Sequence, residues 1–398
     1  MRKIVQRLVF LSLLFSSQLS FAQEEFIEPP SRLLTRLPFL QLTGGIIILR
    51  AQLNSFPDTL SFVLDTGSSG ISLDSTTVDE LKLKPTPTTR SIRGIAGIKN
   101  VPFLYNQQLK FPRLTVDSLD FHVNDYSILT AVYGERIDGI IGYSILSRYI
   151  VKINYDSMYI DICSKGTIRY PRGGYLFKPN ISSLPVQSLR VKDEATINAR
   201  FLYDIGAGVC MMLTREFVTD SALLSKKRKL LRKEGEGVGG KIDMDVTVIK
   251  EVKLGPYRFR SVPTYIFDDD YNVTSYPYLG GLIGNDILRR FNTILNYDKR
   301  DFYLVPNSHF SEPFDYSYSG IELYFIDGYI VIGDVAKKSP AEIAGLKEGD
   351  VVLAINNNFS QNLNQYKIAL QVTNARMKII IRRNGELVEI NFKTGSIR

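Results

Sequence analysis

The strongest constraint on the fold of this chain is an internal repeat in which two segments align without a gap. Residues 138–156 read DGIIGYSILSRYIVKINYD and residues 280–298 read GGLIGNDILRRFNTILNYD, with nine identities in nineteen positions. The order and spacing of these identities exclude chance and indicate one supersecondary unit that has been duplicated. A duplicated unit usually packs about a pseudo-two-fold axis, so matching parts of the two halves are expected to meet there.

Upstream of each copy, an apolar run is followed by an aspartate at a predicted turn. The first run is FVLDTGSSGISL, residues 62–73, in which β-forming residues precede Asp65 and an extended pattern resumes after the turn. Gly67 permits a backbone turn that a side chain would obstruct. The second run is FLYDIGAGVCMML, residues 201–213, with Asp204 in the same place. One such turn alone would be ordinary, but the repeat predicts that the axis places Asp65 opposite Asp204.

The repeated pair of motifs resembles the aspartic proteases of the pepsin and retropepsin type. That family has Asp-Thr/Ser-Gly in each half, followed by two apolar residues and a glycine on the strand that threads behind it. Here the second element reads Ile140–Gly142 in one half and Leu282–Gly284 in the other. The resemblance covers about residues 40–305. It implies a mainly β, bilobed fold with Asp65 and Asp204 as the catalytic pair of a peptide hydrolase.

The resemblance also implies that residues beside the two aspartates support the pair: Thr66, Gly67, Ser68, Gly206 and Ala207. In the family, the threonine after each aspartate sends its hydroxyl across the axis to the other half. Thr66 can do this, whereas Ile205 cannot, so half of the crossed lattice is expected to be missing. Ala207 is common in retropepsins, and Ser68 is typical of pepsins and is expected to hydrogen-bond Asp65. A peptide-binding scaffold with weak or lost catalysis is therefore the alternative to an active endopeptidase.

The chemistry follows from bringing two carboxyl groups within a hydrogen bond of each other. Both cannot ionise cheaply, so the pair is expected to hold one proton over an acidic range and to titrate as a unit. The ionised member would take a proton from water while the protonated member polarises the peptide carbonyl. Hydrolysis would then need no covalent intermediate, and no metal or cofactor is expected.

Glycine-rich hairpin tips follow each aspartate by about thirty residues, at 91–100 and at 236–240. Glycine clusters are ordinary turns when they stand alone. Because both halves have one, they are predicted to be flaps that close over a bound peptide. The flap glycines are Gly94, Gly97, Gly237 and Gly239. Two flaps resemble the retropepsins more than pepsin, which covers its cleft with a single flap.

The C-terminal segment, residues 319–398, resembles the PDZ domains of bacterial periplasmic proteases. The resemblance rests on Ser339–Ala341 and Ala344–Leu346, which lie ahead of a Gly-Asp pair and an apolar strand. Pro340 suits the first turn of a short helix and Gly345 suits its end. We therefore expect a small α+β domain joined to the two β-rich halves.

In PDZ domains, a loop before the first strand donates backbone N–H groups to the terminal carboxylate of a peptide. The matching residues here are Gly320, Ile321, Glu322 and Leu323. Glu322 departs from the pattern because its carboxylate could repel that of the ligand. A helix over residues 363–371 is predicted to form the other wall of the groove, with the peptide added as a strand.

The N-terminal segment has the features of a secretory signal peptide. Basic residues precede the apolar run Leu8–Phe15, and small residues at Ser20–Ala22 flank a cleavage site. A membrane anchor is the alternative, but the apolar run is shorter than the ~20 residues that span a bilayer. No cysteine stands at the cleavage site, which argues against lipid attachment. The mature protein is expected to be periplasmic or secreted, with no transmembrane segment.

The chain is therefore divided into a signal peptide (1–22), a first lobe (23–163), a second lobe (164–306), a linker (307–318) and a PDZ domain (319–398). A Gly, Pro and Ser-rich stretch, Ser164–Pro185, is predicted to connect the lobes. The basic run Lys226–Lys233 is interpreted as the solvated face of a helix, with a partner-binding segment as the alternative.

The charge and the few histidines and cysteines of the chain argue against several other functions. The net charge of +8 is scattered and accompanies no nucleic-acid motif, so no nucleic-acid partner is expected. The histidines are His122 and His309, and the cysteines are Cys163 and Cys210. These widely separated residues fit neither a zinc site nor a histidine-dependent triad. The two cysteines could pair in an oxidising compartment or remain as isolated buried thiols. The expected partners are peptide or protein substrates and C-terminal peptides.

Overall fold

The computed structural model describes residues 28–237 and 239–398, so the predicted signal peptide (1–22) lies outside the described residues. The first lobe contains β1 (Leu33–Pro38), β2 (Leu40–Gln41), β3 (Ile47–Leu53), β4 (Thr59–Leu64), β5 (Ile71–Asp74), α1 (Ser75–Glu80), β6 (Ser91–Gly94), β7 (Gly97–Asn100), β8 (Phe103–Phe111), β9 (Leu114–Asn124), α2 (Ser127–Tyr133), β10 (Gly139–Ile141), α3 (Tyr143–Leu146), β11 (Ile150–Asn154) and β12 (Tyr159–Cys163).

The second lobe contains β13 (Tyr175–Phe177), β14 (Asn180–Ile181), β15 (Pro185–Lys192), β16 (Thr196–Tyr203), β17 (Met211–Thr214), α4 (Arg215–Asp220), β18 (Leu231–Gly237), β19 (Gly240–Leu254), β20 (Tyr257–Phe267), β21 (Gly281–Ile283), α5 (Asn285–Leu288), β22 (Phe291–Asn296) and β23 (Asp301–Pro306).

The C-terminal region contains β24 (Ser317–Tyr318), β25 (Ile321–Ile326), β26 (Tyr329–Val335), α6 (Pro340–Ile343), β27 (Val351–Ile355), α7 (Leu363–Leu370), β28 (Arg376–Arg383), β29 (Glu386–Lys393) and β30 (Gly395–Ser396).

The two lobes are built from sheets of matching order. The first runs β2-β3-β4-β10-β5-β9-β8, and β3 also pairs with β8, which closes the sheet on itself. The second runs β14-β15-β16-β21-β17-β20-β19-β18, and β15 also pairs with β19. The expected mainly β, bilobed fold is confirmed, because closed sheets of this kind bury an apolar interior between the strands.

A short strand threads behind the aspartate turn in each lobe. In the first lobe, β10 runs parallel to β4 and antiparallel to β5, and in the second, β21 runs parallel to β16 and antiparallel to β17. The backbone N–H of Asp65 donates to Ile141 O at 2.9 Å, and that of Asp204 donates to Ile283 O at 3.0 Å. The threading strand therefore fixes the position of each aspartate.

The repeated segments of the sequence meet directly in a third sheet that both lobes share. Its order is β1-β12-β11-β22-β23-β13, and β11 pairs antiparallel with β22 at its centre. Ile150 lies opposite Asn296, and Ile153 lies opposite Thr293. The pseudo-two-fold axis passes between these strands. The connection Ser164–Pro185 is more than a linker, because β13 and β14 lie within it and β13 joins this shared sheet.

One apolar core extends through both lobes and includes Leu64 and Ile141 from the first and Ile205 and Ile283 from the second. Continuity of the core across the axis holds the two aspartate turns against each other. The cysteines are both buried and unpaired, which agrees with isolated thiols rather than a disulfide.

The C-terminal region folds around its own core on the sheet β25-β26-β27-β28-β29. Helix α6 begins as expected, with Pro340 in its first turn and the Ser339 hydroxyl accepting from the N–H of Glu342 at 3.1 Å. The preceding linker is packed rather than free, since Phe310 and Phe314 contact the core of the lobes.

The helical interpretation of the basic run 226–233 is wrong. Residues 226–230 form turns and irregular structure, and residues 231–233 begin strand β18. Arg228 pairs with the buried Asp193 in the second lobe, so part of this run is held in place by an ion pair. Within residues 28–237 and 239–398, no helix has the length and apolar character needed to cross a membrane.

Candidate active site

The carboxyl groups of Asp65 and Asp204 lie side by side at the axis and hydrogen-bond each other; they are called the aspartate pair below. The glycines that follow them make this approach possible. A Cβ on Gly67 would lie 2.5 Å from Asp204 Oδ2, and a Cβ on Gly206 would overlap the Asp65 carboxyl group. Each turn therefore needs glycine in order to admit the carboxyl of the opposite lobe.

Backbone N–H groups hold each carboxyl in its turn. Gly67 N–H donates to Asp65 Oδ1 at 2.6 Å, and Gly206 N–H donates to Asp204 Oδ1 at 2.8 Å. The backbone N–H groups of Ser68 and Ala207 provide further bonds to Asp65 and Asp204 respectively. The expected bond from the Ser68 hydroxyl is not formed among these described residues.

Thr66 makes the expected bond across the axis, and Ile205 does not return it. The Thr66 hydroxyl donates to Tyr203 O at 2.7 Å and accepts from Ile205 N–H at 3.0 Å. Ile205 is buried and presents only apolar atoms from its side chain. The Thr66 hydroxyl therefore links the first turn to the second, beside the hydrogen bond within the aspartate pair.

The environment of the aspartate pair favours a shared proton. Burial raises the pKa of Asp65, and the charge of Asp204 and the hydrogen bond to it raise this pKa further. Burial also raises the pKa of Asp204, while hydrogen bonds from Asp65 and from backbone N–H groups act in the opposite direction. The pair therefore holds one proton at a pH where an isolated aspartate would have lost it.

The two predicted flaps are β-hairpins whose tips touch. Strands β6 and β7 form the first flap, and β18 and β19 form the second. A Cβ on Gly97 would lie 3.5 Å from Gly239 Cα, and a Cβ on Gly237 would lie 2.6 Å from the Ile95 side chain. Arg93, next to Gly94 in the first flap, donates to Asn272 O of the second lobe at 2.9 Å. The flaps are therefore closed in this structure.

The family model for aspartyl proteases matches this chain twice, over residues 49–145 and 188–287. The two lobes belong to the aspartyl protease family. A PDZ domain model matches residues 331–383, so the chain joins a duplicated aspartyl protease region to a PDZ domain. No curated protein matches the chain in sequence.

A cavity of about 440 Å³, the cleft cavity, lies above the aspartate pair of the protease lobes. Its wall includes the aspartate pair, both flaps, helix α2 and the PDZ domain. Helix α2, which was not predicted as part of the site, contributes Leu129, Val132 and Tyr133. Burial raises the pKa of the Tyr133 phenol, and the negative charges of Glu236 and the aspartate pair raise it further. No motif marks α2, because its role depends only on where the fold places it.

All four predicted residues of the PDZ carboxylate loop, Gly320–Leu323, lie on the wall of the cleft cavity. The carboxylate of Glu322 is 3.4 Å from Lys233 Nζ of the second flap, and this ion pair offsets its negative charge. This contact was not predicted, because Lys233 was expected on the solvated face of a helix.

The PDZ domain also holds the second flap at several points. Arg232 in β18 forms an ion pair with Asp334 at 3.0 Å. The hydroxyl of Tyr318, the last residue of the linker, donates to Arg232 O at 2.9 Å. Tyr324 hydroxyl bonds to Glu234 at 2.9 Å and also contacts Glu236. Several side-chain contacts therefore hold the second flap against the PDZ domain.

Proposed function

We propose that this protein is an aspartic endopeptidase that hydrolyses peptide bonds with a water molecule activated by Asp65 and Asp204. The observation that carries the proposal is the hydrogen-bonded aspartate pair at matching turns of two aspartyl protease lobes. Its position on the wall of a cavity closed by two flaps supports a substrate that is enclosed during reaction.

In the proposed mechanism, the ionised member of the aspartate pair takes a proton from water as the water oxygen attacks the peptide carbonyl carbon. The protonated member donates to the carbonyl oxygen, which becomes a hydroxyl in the tetrahedral intermediate. Proton transfer to the nitrogen then allows the C–N bond to break. The products are a new carboxyl end and a new amino end, and the pair returns to its state with one proton.

The backbone hydrogen bonds around the aspartate pair support a state with one ionised and one protonated member. N–H groups from the two glycine turns stabilise negative charge on the carboxyls, so one member can be ionised although both are buried. The contacts between the flap tips support exclusion of bulk water and alignment of an extended peptide.

We further propose that the protein acts in the periplasm or outside the cell, on the basis of the signal features in residues 1–22. The PDZ domain is proposed to bind peptide C-termini through the backbone of the loop Gly320–Leu323. These N–H groups start an edge strand of the PDZ sheet, which suits recognition by strand addition.

A non-catalytic peptide-binding scaffold is the second candidate, and one observation favours it. The crossed bond from the second turn is missing because Ile205 has no hydroxyl. A pair that is held from one side only would position its water less strictly, which would lower catalysis without changing the fold.

The two candidates are separated by incubating purified protein with a peptide library between about pH 3 and 7, where a shared proton is expected. Asp65→Asn and Asp204→Asn are compared with the wild type and with Asp58→Asn, a matched change on an exposed loop. The endopeptidase predicts that cleavage is lost in both pair variants and retained in the control. Binding without cleavage by the wild type would support the scaffold.

A further inference from the structure

The PDZ carboxylate loop and the aspartate pair open into the same cavity. Gly320–Leu323 form one part of the wall, Leu370 from helix α7 lies on the same wall, and the aspartate pair lies in the cleft itself. A peptide end bound by the loop is therefore already inside the space that contains the reacting groups.

Helix α2 lies at the far part of the PDZ groove, between its two walls. It packs beside strand β25, and Lys367 Nζ of α7 donates to Val132 O at the end of α2 at 2.6 Å. The side chain of Leu363 lies 3.1 Å from the position that a Cβ on Gly134 would take. A peptide cannot extend along the whole of β25 while α2 holds this place, so a peptide bound at the loop must leave towards the cleft.

Acidic side chains outnumber basic ones on the cavity wall, but one cation on it is placed to receive a peptide end. Lys367 lies on this wall and has no carboxylate within salt-bridge distance in the part of the chain that the structure describes. Glu322 is paired with Lys233 and is therefore partly neutralised. Burial lowers the pKa of Lys367 more than the nearby Glu322 and Glu236 raise it. A carboxylate from a ligand would give Lys367 a directly bonded partner, through a charge-assisted hydrogen bond, in addition to the more distant charges of Glu322 and Glu236.

We propose that the substrate is the free C-terminal tail of a protein or peptide, read and cut within this one cavity. Its terminal carboxylate binds the backbone N–H groups of the loop Gly320–Leu323 and the ammonium group of Lys367, and the chain then passes to Asp65 and Asp204. This rests on the proposed endopeptidase function. Hydrolysis consumes one water, breaks one C–N bond near the tail end, and releases a short peptide that carries the original terminal carboxylate.

The consequence is that the cut lies at a fixed number of residues from the C terminus. The test uses a peptide that the wild type cleaves, extended in one series at its N-terminal end and in another at its C-terminal end. Mass spectrometry locates each cut. Extension at the N-terminal end should leave the cut unchanged, and extension at the C-terminal end should move it by the number of residues added.

A C-terminal amide version of each peptide tests the carboxylate directly. We expect the amide to lower kcat/KM by roughly ten- to a hundredfold, as the loss of a hydrogen bond to a charged group would. Lys367→Met should lower kcat/KM for the acid peptide and leave the amide peptide unchanged. Lys393→Met, a matched change on the exposed surface of β29, should affect neither peptide.

The outcomes separate this inference from the function on which it rests. Cuts that follow the local sequence in both series, with acid and amide peptides cleaved equally, would overturn the inference and leave the endopeptidase intact. Absence of all cleavage by the wild type would refute the endopeptidase and with it the fixed cut. The carboxylate site would then be tested by binding the acid and amide peptides to Asp204→Asn, where equal affinities would remove it.

Discussion

The single hydroxyl that joins the two aspartate turns provides a quantitative test of how the site is held. Thr66 is 1% exposed, and its hydroxyl makes two bonds across the axis, at 2.7 Å to Tyr203 O and at 3.0 Å from Ile205 N–H. Thr66→Val keeps the shape of the side chain and removes both bonds. The Tyr203 carbonyl and the Ile205 N–H are then left buried without these partners.

Each buried polar group that loses its partner costs about 1–3 kcal/mol. Thr66→Val leaves two such groups and is therefore expected to lower the free energy of unfolding by about 2–6 kcal/mol, a large part of a typical total of about 5–15 kcal/mol. Thr66→Ser is the matched control, since it keeps the hydroxyl and loses one methyl group, worth about 1 kcal/mol.

Urea unfolding followed by far-ultraviolet circular dichroism measures these differences, because the chain has no tryptophan to report by fluorescence. Peptidase activity measured on the same samples should fall further in Thr66→Val than in Thr66→Ser. Equal costs for the two variants, or a cost below about 0.5 kcal/mol for valine, would refute the argument that this hydroxyl joins the lobes.

Three other changes test the site. Gly206→Ala places a methyl group against the Asp65 carboxyl and should lower kcat/KM by at least about a hundredfold. Circular dichroism should show that the variant is still folded, and wild-type activity would contradict the prediction. Ile205→Thr supplies the missing hydroxyl and should raise kcat by a few-fold. The loss of buried apolar surface offsets the new hydrogen bond, so the free energy of unfolding should stay within about 1 kcal/mol of the wild-type value. An unchanged kcat in a folded variant would show that the missing bond is unimportant. Burial and the charge of Glu322 raise the pKa of Glu236 from 4.5 to about 7 in the folded protein. As pH rises, the Glu236 carboxyl therefore loses its proton in the unfolded chain before it does so in the folded protein. The wild type should lose stability as pH rises from about 4.5 to 7. Glu236→Gln should remove up to roughly 3 kcal/mol of that loss in the free energy of unfolding, measured with urea at each pH. Identical pH dependence of stability in the wild type and the variant would disprove this.

Much of the site could be predicted because its constraints are local. A strand that ends in Asp-Thr-Gly, or Asp-Ile-Gly, fixes a turn within a few residues, and the glycines are needed where Asp65 and Asp204 approach. The repeat added the long-range information that a single motif lacks, since two copies imply an axis. The missing crossed bond was also predictable, because Ile205 has no hydroxyl in any fold.

Other features could not be predicted, because local pattern carries no record of distant neighbours. The basic run 226–233 has the composition of a solvated helix, yet its last residues form a flap strand that pairs with β19 and contacts the PDZ domain. The Ser68 hydroxyl could bond Asp65 by its position in sequence, but the backbone N–H makes that bond in the folded turn.

The duplicated protease lobes, the aspartate turns and the PDZ domain could be predicted from the sequence alone, since each is specified by side chains close together in the chain. The position of the PDZ loop at the cleft, and of α2 between the walls of the PDZ groove, depends instead on how the domains pack together. Val132 and Lys367 are more than two hundred positions apart. Their contact depends on how three folded surfaces fit together, and this depends on shape and burial summed over the domains rather than on any local motif.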